Sequence, residues 1–169
     1  VGRFFLAYNS SGITSKVQEG TLNVELLGAS FNGDVSNMRL IAVKSDEPSG
    51  GTLVNDDFNN IVGFSTGASM QGNVTIYSDI VNVTSTGAQT LKFNLTQDAL
   101  DDIVSLSAFN IAIVEYDHDF LNVEPTDLGN RQVRTISSAT WSTIDLTFPP
   151  TQKQIRDFKR TIKSKGSRG

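Results

Sequence analysis

The chain of 169 residues contains no Cys and only one His, and these two scarcities exclude much of enzyme chemistry. Without Cys there is no disulfide framework, no Cys-ligated zinc, no iron–sulfur cluster and no thiol nucleophile. A single imidazole leaves few schemes for nucleophilic catalysis or metal-dependent hydrolysis. A Ser-nucleophile motif, a phosphate-binding glycine loop and EF-hand spacing are also missing. We therefore expect a protein that is not an enzyme and needs no cofactor, apart from one candidate calcium site at Asp117 and Asp119.

Long apolar runs are missing as well. No stretch approaches the roughly 18 residues needed to cross a bilayer, and the first residues lack the pattern of a signal peptide. We therefore expect no membrane partner. A first residue of Val1 instead of Met indicates a processed protein or a segment of a longer one. The length is that of one ordinary domain and is enough to bury a sizeable core.

The net charge of −4 combines two parts of opposite charge. Residues 1–149 hold seven basic and 17 acidic side chains, a net charge of −10, whereas residues 150–169 hold seven basic side chains and only Asp157, a net charge of +6. Such asymmetry is typical of a folded body with an interaction tail. Two prolines, Pro149 and Pro150, mark the boundary because proline ends a central strand. We expect a domain over 1–149 and a basic anchor or linker over 150–169.

The body has the pattern of an all-β protein. Short apolar or alternating runs recur about every ten residues, with turn residues rich in Gly, Asn, Asp and Pro between them. This spacing predicts a β-sandwich or jelly roll and not a parallel α/β sheet. The predicted strands cover residues 2–8, 20–27, 38–45, 73–81, 89–94, 108–116, 132–137 and 140–148.

Two stretches depart from this pattern. Residues 96–104 (TQDALDDIV) begin with a Thr suited to an N-cap and place their apolar side chains on one helical face. An early Asp there also suits the positive end of the helix dipole. We predict one short helix that crosses between two strands. Residues 56–62 (DDFNNIV) predict a second, weaker helical turn.

The only His lies between two acids, directly after the most apolar predicted strand. In an extended segment Asp117 and Asp119 share one side and His118 leaves it. Two carboxylates with loop carbonyls near Asp127 and Asn130 could bind calcium. The alternative is a polar turn that caps the strand, with the Asp side chains bonded to backbone amides.

A few aromatic residues could form a platform for stacking a sugar ring. Trp141 and Tyr77 are the main candidates, together with Tyr8 and Tyr116. The alternative is that these rings are core residues, which is the common fate of a lone Trp in a β domain. Adjacent acids such as Asp56 and Asp57 do not by themselves make a glycosidase pair, which needs two carboxylates facing each other across a cleft.

The basic tail has an amphipathic pattern. Ile155, Phe158 and Ile162 form one helical stripe, surrounded by Lys and Arg. The stripe is too short for stable membrane insertion. The positive charge of the tail could attract nucleic acid, but the −10 body repels the same phosphates, so nucleic acid is the less favoured partner. We expect docking on an acidic neighbour, such as another copy of the body; the alternative is a solvated linker helix. The predicted docking residues are Lys153, Ile155, Arg156, Phe158, Lys159, Arg160, Ile162 and Lys163.

Three stretches resemble a known family. Residues 3–8 (RFFLAY), Ile13 and residues 20–24 (GTLNV) are similar to its opening pair of strands. Tyr77-Ser78, Gly87 and residues 91–96 (LKFNLT) resemble its strand that leads into a short helix, and residues 140–148 before Pro149 resemble its closing strand. The family is the β-sandwich module of phage structural proteins and of bacterial surface proteins of the DNRLRE type, which is related to some carbohydrate-binding modules.

The resemblance implies a binding or architectural domain. The leading hypothesis is a virion component, such as a head-decoration, tail or fibre-associated protein, which docks on other virion proteins or on copies of itself. The second hypothesis is a carbohydrate-binding module of an extracellular or cell-surface protein, with glycans as partners. An enzyme acting on glycans is the third, and no set of residues in the sequence supports it. The acidic corner at Asp117 and Asp119 departs from the family pattern.

Overall fold

The computed structural model describes residues 2–32, 36–46, 58–126, 130–135, 142–151 and Gln154. Within these ranges the strands form two antiparallel sheets, and an α-helix connects one sheet to the other. The elements are β1 Phe4–Asn9, β2 Glu19–Asn32, β3 Met38–Lys44, β4 Val81–Val83, β5 Gln89–Asn94, α1 Gln97–Ser105, β6 Ala108–Glu115, β7 Asn130–Thr135 and β8 Ser142–Thr147. The predicted all-β class is confirmed.

The first sheet has the strand order β1-β6-β3-β4, and the second is built around β2. On one side of β2 lies β5; on the other side β8 and β7 pair with successive parts of it, β8 over Glu19–Val24 and β7 over Leu26–Asn32. The inner faces of the two sheets share one core, which includes Leu22 and Phe93 from the second sheet and Phe109 and Ile111 from the first.

A β-bulge in β2 lets this strand serve both partners. The register with β7 shifts between Leu26 and Gly28, so Leu27 is an extra residue and stands 53 % exposed. Because a strand alternates its faces, one extra residue moves Ala29 and Phe31 to the core side. The strand predicted over 20–27 ended too early, because the bulge continues it to Asn32.

The helix α1 is the predicted crossover. Thr96 caps it, because its hydroxyl accepts a hydrogen bond from Ala99 N, and Ala99, Leu100 and Ile103 are buried. It joins β5 of the second sheet to β6 of the first. Of the weaker helical turn predicted over 56–62, the described part contains only a short 3₁₀ turn at Phe58 and Asn59.

A third layer covers the outer face of the first sheet. Residues 58–76, here called the cover segment, pack Ile61, Met70 and Val74 against Ile41, Val43 and Val114 of the central strands. This explains why β3 and β6 are apolar on both faces. The strand predicted over 73–81 was wrong for residues 73–80, which make only single bridges, such as Val43 with Ile76, and β4 begins at Val81.

Candidate functional site

The strand β6 ends in a single π-turn, Tyr116–Phe120, which is closed by Leu121 N donating to Tyr116 O at 3.1 Å. Glu115 caps the turn: its Oε2 accepts from His118 N at 2.6 Å. In a helical turn, residues two positions apart point away from each other. The expected extended segment is therefore wrong, and Asp117 and Asp119 do not share a side.

Asp117 forms an ion pair with Arg39 of β3. Arg39 Nε donates to Asp117 Oδ2 at 3.0 Å, Arg39 Nη2 contacts Oδ1, and the guanidinium lies 4.7 Å from the ring centre of Tyr116. Hydrogen bonding to Arg39 lowers the pKa of Asp117, and the carboxylate in turn raises the pKa of Arg39. The pair is partly exposed, so its contribution to stability is small.

Asp119 forms a buried ion pair with Arg3. Arg3 donates through Nε and Nη2 to both carboxylate oxygens, at 2.8 and 2.7 Å. The Arg3 guanidinium also lies 4.1 Å from the ring centre of Phe58 and 4.5 Å from that of Phe64. Planar bidentate pairing with stacking on rings is a geometry that Arg provides and Lys does not. Arg3 thus joins the start of β1, the π-turn and the cover segment.

These pairs correct the expected calcium site. Each of Asp117 and Asp119 is turned toward its own Arg, so the two carboxylates do not converge on one ion. Within the described ranges, no group of three acidic or His side chains is placed to hold a metal. Asp127 lies outside these ranges.

A cavity of about 470 Å³, here called the corner pocket, opens beside the π-turn. Strands of the first sheet form one wall, and Gln132 and Val133 of β7 form part of the other, so the pocket lies at one end of the sandwich. The volume falls within the range of small-ligand sites. Its apolar lining comes from Phe4, Met38, Leu40 and Val133.

Two polar atoms at this pocket have no partner among the described residues. Glu115 is 8 % exposed, and its Oε1 is buried without a hydrogen bond, as is Nε2 of His118. His118 Nδ1 lies 3.0 Å from the carbonyl of Val123, which can only accept, so Nδ1 carries a proton. Nε2 of a neutral ring is then an acceptor. Buried atoms without partners are rare in folded proteins and call for an explanation.

Arg131 of β7 also lines the pocket, and its Nε donates to Asn37 O at 3.1 Å. The pocket therefore combines an apolar lining with one buried carboxylate oxygen and one imidazole nitrogen. A group that fits it has an apolar body and a hydrogen-bond donor for Glu115. A cationic donor suits this carboxylate best, because charge-assisted hydrogen bonds are the stronger ones.

The structure corrects the proposed sugar platform at Tyr77. The Tyr77 side chain is 0 % exposed, stacks on Phe109 and donates to Asp102 Oδ2 at 2.5 Å. A ring in the core has no free face for a sugar. Trp141 lies outside the described residues, so its role stays a prediction.

The tail begins on the surface. Phe148, Pro149 and Thr151 lie beside the loop 12–16 that precedes β2. Thr151 Oγ1 accepts from Gln154 N at 3.3 Å, and Gln154 Oε1 accepts from Thr151 N at 2.7 Å. These reciprocal bonds are a capping box, which marks a helix N-terminus. The eight predicted docking residues, 153, 155, 156, 158–160, 162 and 163, lie outside the described residues.

Several residues of this site were not predicted from the sequence. The ion pairs of Arg3 and Arg39 could not be predicted from the neighbouring sequence, because their partners lie 116 and 78 positions away. Glu115 belonged to a predicted strand end and was not singled out. The Thr-x-x-Gln spacing at 151–154 was a readable sign of the capping box.

Comparison with protein families, curated proteins and solved structures gives no match for this chain. In the described part of the chain, no helix is both long and apolar enough to cross a membrane. The fold and the geometry of the site are therefore the basis for assigning a function.

Proposed function

We propose that this protein is a non-enzymatic architectural module, a virion component that docks on neighbouring subunits through its basic segment 150–169. The observation that carries the proposal is the segment's charge of +6, starting at a capped helix on the surface of a body of charge −10. A segment with that charge is attracted to an acidic protein surface.

The body suits an architectural role. Both faces of the first sheet are covered, one by the second sheet and one by the cover segment. Ion pairs from Arg3, just before β1, and from Arg39 of β3 hold the π-turn against the first sheet. A body held in this way provides a rigid support for the tail, whose described start at Thr151 lies on its surface.

The test is incorporation of a tail-neutralised chain into particles. The variant carries Gln at five positions: Lys153, Arg156, Lys159, Arg160 and Lys163. Produced during particle assembly, it should be at least tenfold depleted in purified particles relative to the wild-type chain, because the electrostatic attraction is lost. Quantitative mass spectrometry of the particles measures the ratio.

The control removes positive charge from the body. Lys16→Gln and Lys92→Gln together should leave incorporation unchanged. Thermal unfolding should show the same melting temperature for all three chains. Equal incorporation of the tail-neutralised and wild-type chains would overturn the proposal.

A further inference from the structure

We infer that the basic tail of one chain docks in the corner pocket of a second copy, and that copies therefore join head to tail. The inference rests on the proposed function and names the partner surface of the same tail. Two observations support it. Glu115 has a buried carboxylate oxygen without a partner in the described chain, and the tail has a cation, Lys159, next to an aromatic residue, Phe158.

The pocket requires two things of its occupant. Its apolar lining, Phe4, Met38, Leu40 and Val133, favours an apolar side chain. Oε1 of Glu115, buried and without a partner in the described chain, requires a hydrogen-bond donor. Arg131 is held at the same pocket by its bond to Asn37 O. An occupant that combines a ring with one well-placed ammonium group meets both requirements.

The tail sequence provides this combination. In the predicted helix, Ile155, Phe158 and Ile162 share one face, and Lys159 is four positions after Ile155 and three before Ile162. Residues three and four positions apart are neighbours on a helix surface, so Lys159 belongs to the same face. We assign Phe158 to the apolar lining and the Lys159 ammonium to Glu115 Oε1.

The tail of a chain falls short of the chain's own pocket. Thr147, just before the tail, pairs with Glu19 at one end of β2, whereas pocket residues 131–133 pair with Ala29–Phe31 near the other end. These ends are about 35 Å apart along the strand, at about 3.3 Å per residue. Thr151 lies beside loop 12–16, at the Glu19 end of β2, and from Thr151 to Phe158 the chain spans only about 10 Å as a helix and about 25 Å fully extended. The partner is therefore another copy.

Contact between a tail and a pocket at opposite ends of the sandwich is heterologous. Each copy then has one donor segment and one acceptor pocket. Interfaces of this kind build rings when the rotation closes and filaments when it does not. Repeated docking of this type is the arrangement that an architectural module needs.

Self-association of the full chain tests the inference. Analytical ultracentrifugation over a concentration series should show the wild-type mass rising above that of one chain. Glu115→Gln keeps the shape of the side chain and should weaken association at least tenfold, as should Lys159→Gln. Controls that remove the same charges elsewhere are Glu25→Gln on the exposed face of β2 and Lys165→Gln, a tail position outside the eight predicted docking residues, and both should associate like the wild type.

Mixing two defective chains is the sharper experiment. Val133→Phe fills the pocket and leaves the tail intact, whereas Phe158→Asp removes the apolar anchor and leaves the pocket intact. Each variant alone should stay at the mass of one chain, and an equal mixture should form pairs and nothing larger. Unchanged circular dichroism and melting temperature show that both variants fold.

Two results would overturn the inference. If Val133→Phe and Glu115→Gln associate like the wild type while Phe158→Asp does not, the tail docks elsewhere, and the proposed function stands. If the wild-type chain keeps the mass of one chain at every concentration up to about 1 mM, copies do not dock on one another. Particle incorporation of the tail-neutralised chain then decides the proposed function separately.

Discussion

Arg3 and Asp119 form a bidentate ion pair across 116 positions of sequence, with side chains only 3 % and 8 % exposed. The pair connects the residue just before β1 to the π-turn after β6. Since the Arg3 guanidinium also stacks on Phe58 and Phe64, it holds the cover segment against the first sheet. The wall of the corner pocket formed by the π-turn therefore depends on this pair.

Arg3→Met should lower the free energy of unfolding by about 3–5 kcal/mol, because it leaves the Asp119 carboxylate buried without its partner. The double variant Arg3→Met, Asp119→Leu should lose less than Arg3→Met alone, since no charge is then left buried. Urea unfolding measures the free energy of unfolding of the wild type and of both variants. A loss below about 1 kcal/mol for Arg3→Met would show that the pair does not hold the corner together.

Asp117→Asn should make a small, pH-dependent difference. Hydrogen bonding to Arg39 lowers the pKa of Asp117 from 3.8, so the pair's contribution is fully present above that value and is lost as the pH falls through the folded-state pKa. The partly exposed pair should contribute under about 1 kcal/mol at pH 7. Melting temperatures from pH 7 to pH 2 should converge for wild type and variant at the acid end. A gap that persists at pH 2 would contradict this.

Gly63→Ala should destabilise the protein more than Gly67→Ala. Both glycines have a positive φ, +85° and +84°, so any side chain adds a backbone cost of about 1–2 kcal/mol at either position. At Gly63 a Cβ would also lie 1.9 Å from Asn73 O, whereas at Gly67 it meets open space. The difference between the unfolding free energies of Gly63→Ala and Gly67→Ala measures the cost of this steric clash inside the cover segment. Equal losses would mean that the close approach of residues 63 and 73 is absent.

Tyr77→Phe should cost about 1.5–3 kcal/mol, because the lost hydroxyl donates to the charged Asp102, which Lys44 Nζ also contacts at 2.8 Å. Burial, followed by the hydrogen bond to Asp102, raises the pKa of Tyr77 above 10.0. The stability that comes from keeping this proton is fully present below pH 10 and is lost as the pH rises through the folded-state pKa.

Unfolding in urea from pH 8 to pH 11 measures this effect. The wild-type protein should lose stability above pH 10 more steeply than Tyr77→Phe, and Tyr116→Phe is the matched control. Parallel curves for wild type and Tyr77→Phe would contradict the assigned role of the Tyr77 proton.

The parts of the fold that depend on local sequence could be predicted. Helix α1 and strand β5 were found because Thr96 is a local cap and residues 89–94 alternate between the faces of a sheet. Residues 73–80 are also rich in residues that favour strands, but they form none. Their hydrogen bonds go to scattered partners, such as Tyr77 N to Ala42 O and Thr96 N to Tyr77 O, and these depend on tertiary placement.

The site was much less predictable than the fold. The acidic corner was singled out correctly as unusual, but its carboxylates were assigned to calcium, since sequence spacing cannot show that Arg3 and Arg39 approach from distant strands. The pocket is invisible in the sequence for the same reason: Glu115 and Val133 belong to different sheets. The tail's charge and helical stripe, in contrast, are local features.

The absence of Cys makes a direct test of head-to-tail docking straightforward, because every introduced thiol is the only one in its chain. Thr161→Cys, three positions after Phe158 and outside the predicted docking residues, is mixed with Gln132→Cys, whose side chain is exposed at the corner pocket, and in parallel with Thr90→Cys on the outer face of β5. After mild oxidation, peptide mass spectrometry measures the disulfide-linked junctions. We predict a 161–132 junction between copies at least tenfold more abundant than a 161–90 junction; equal amounts of the two would contradict head-to-tail docking.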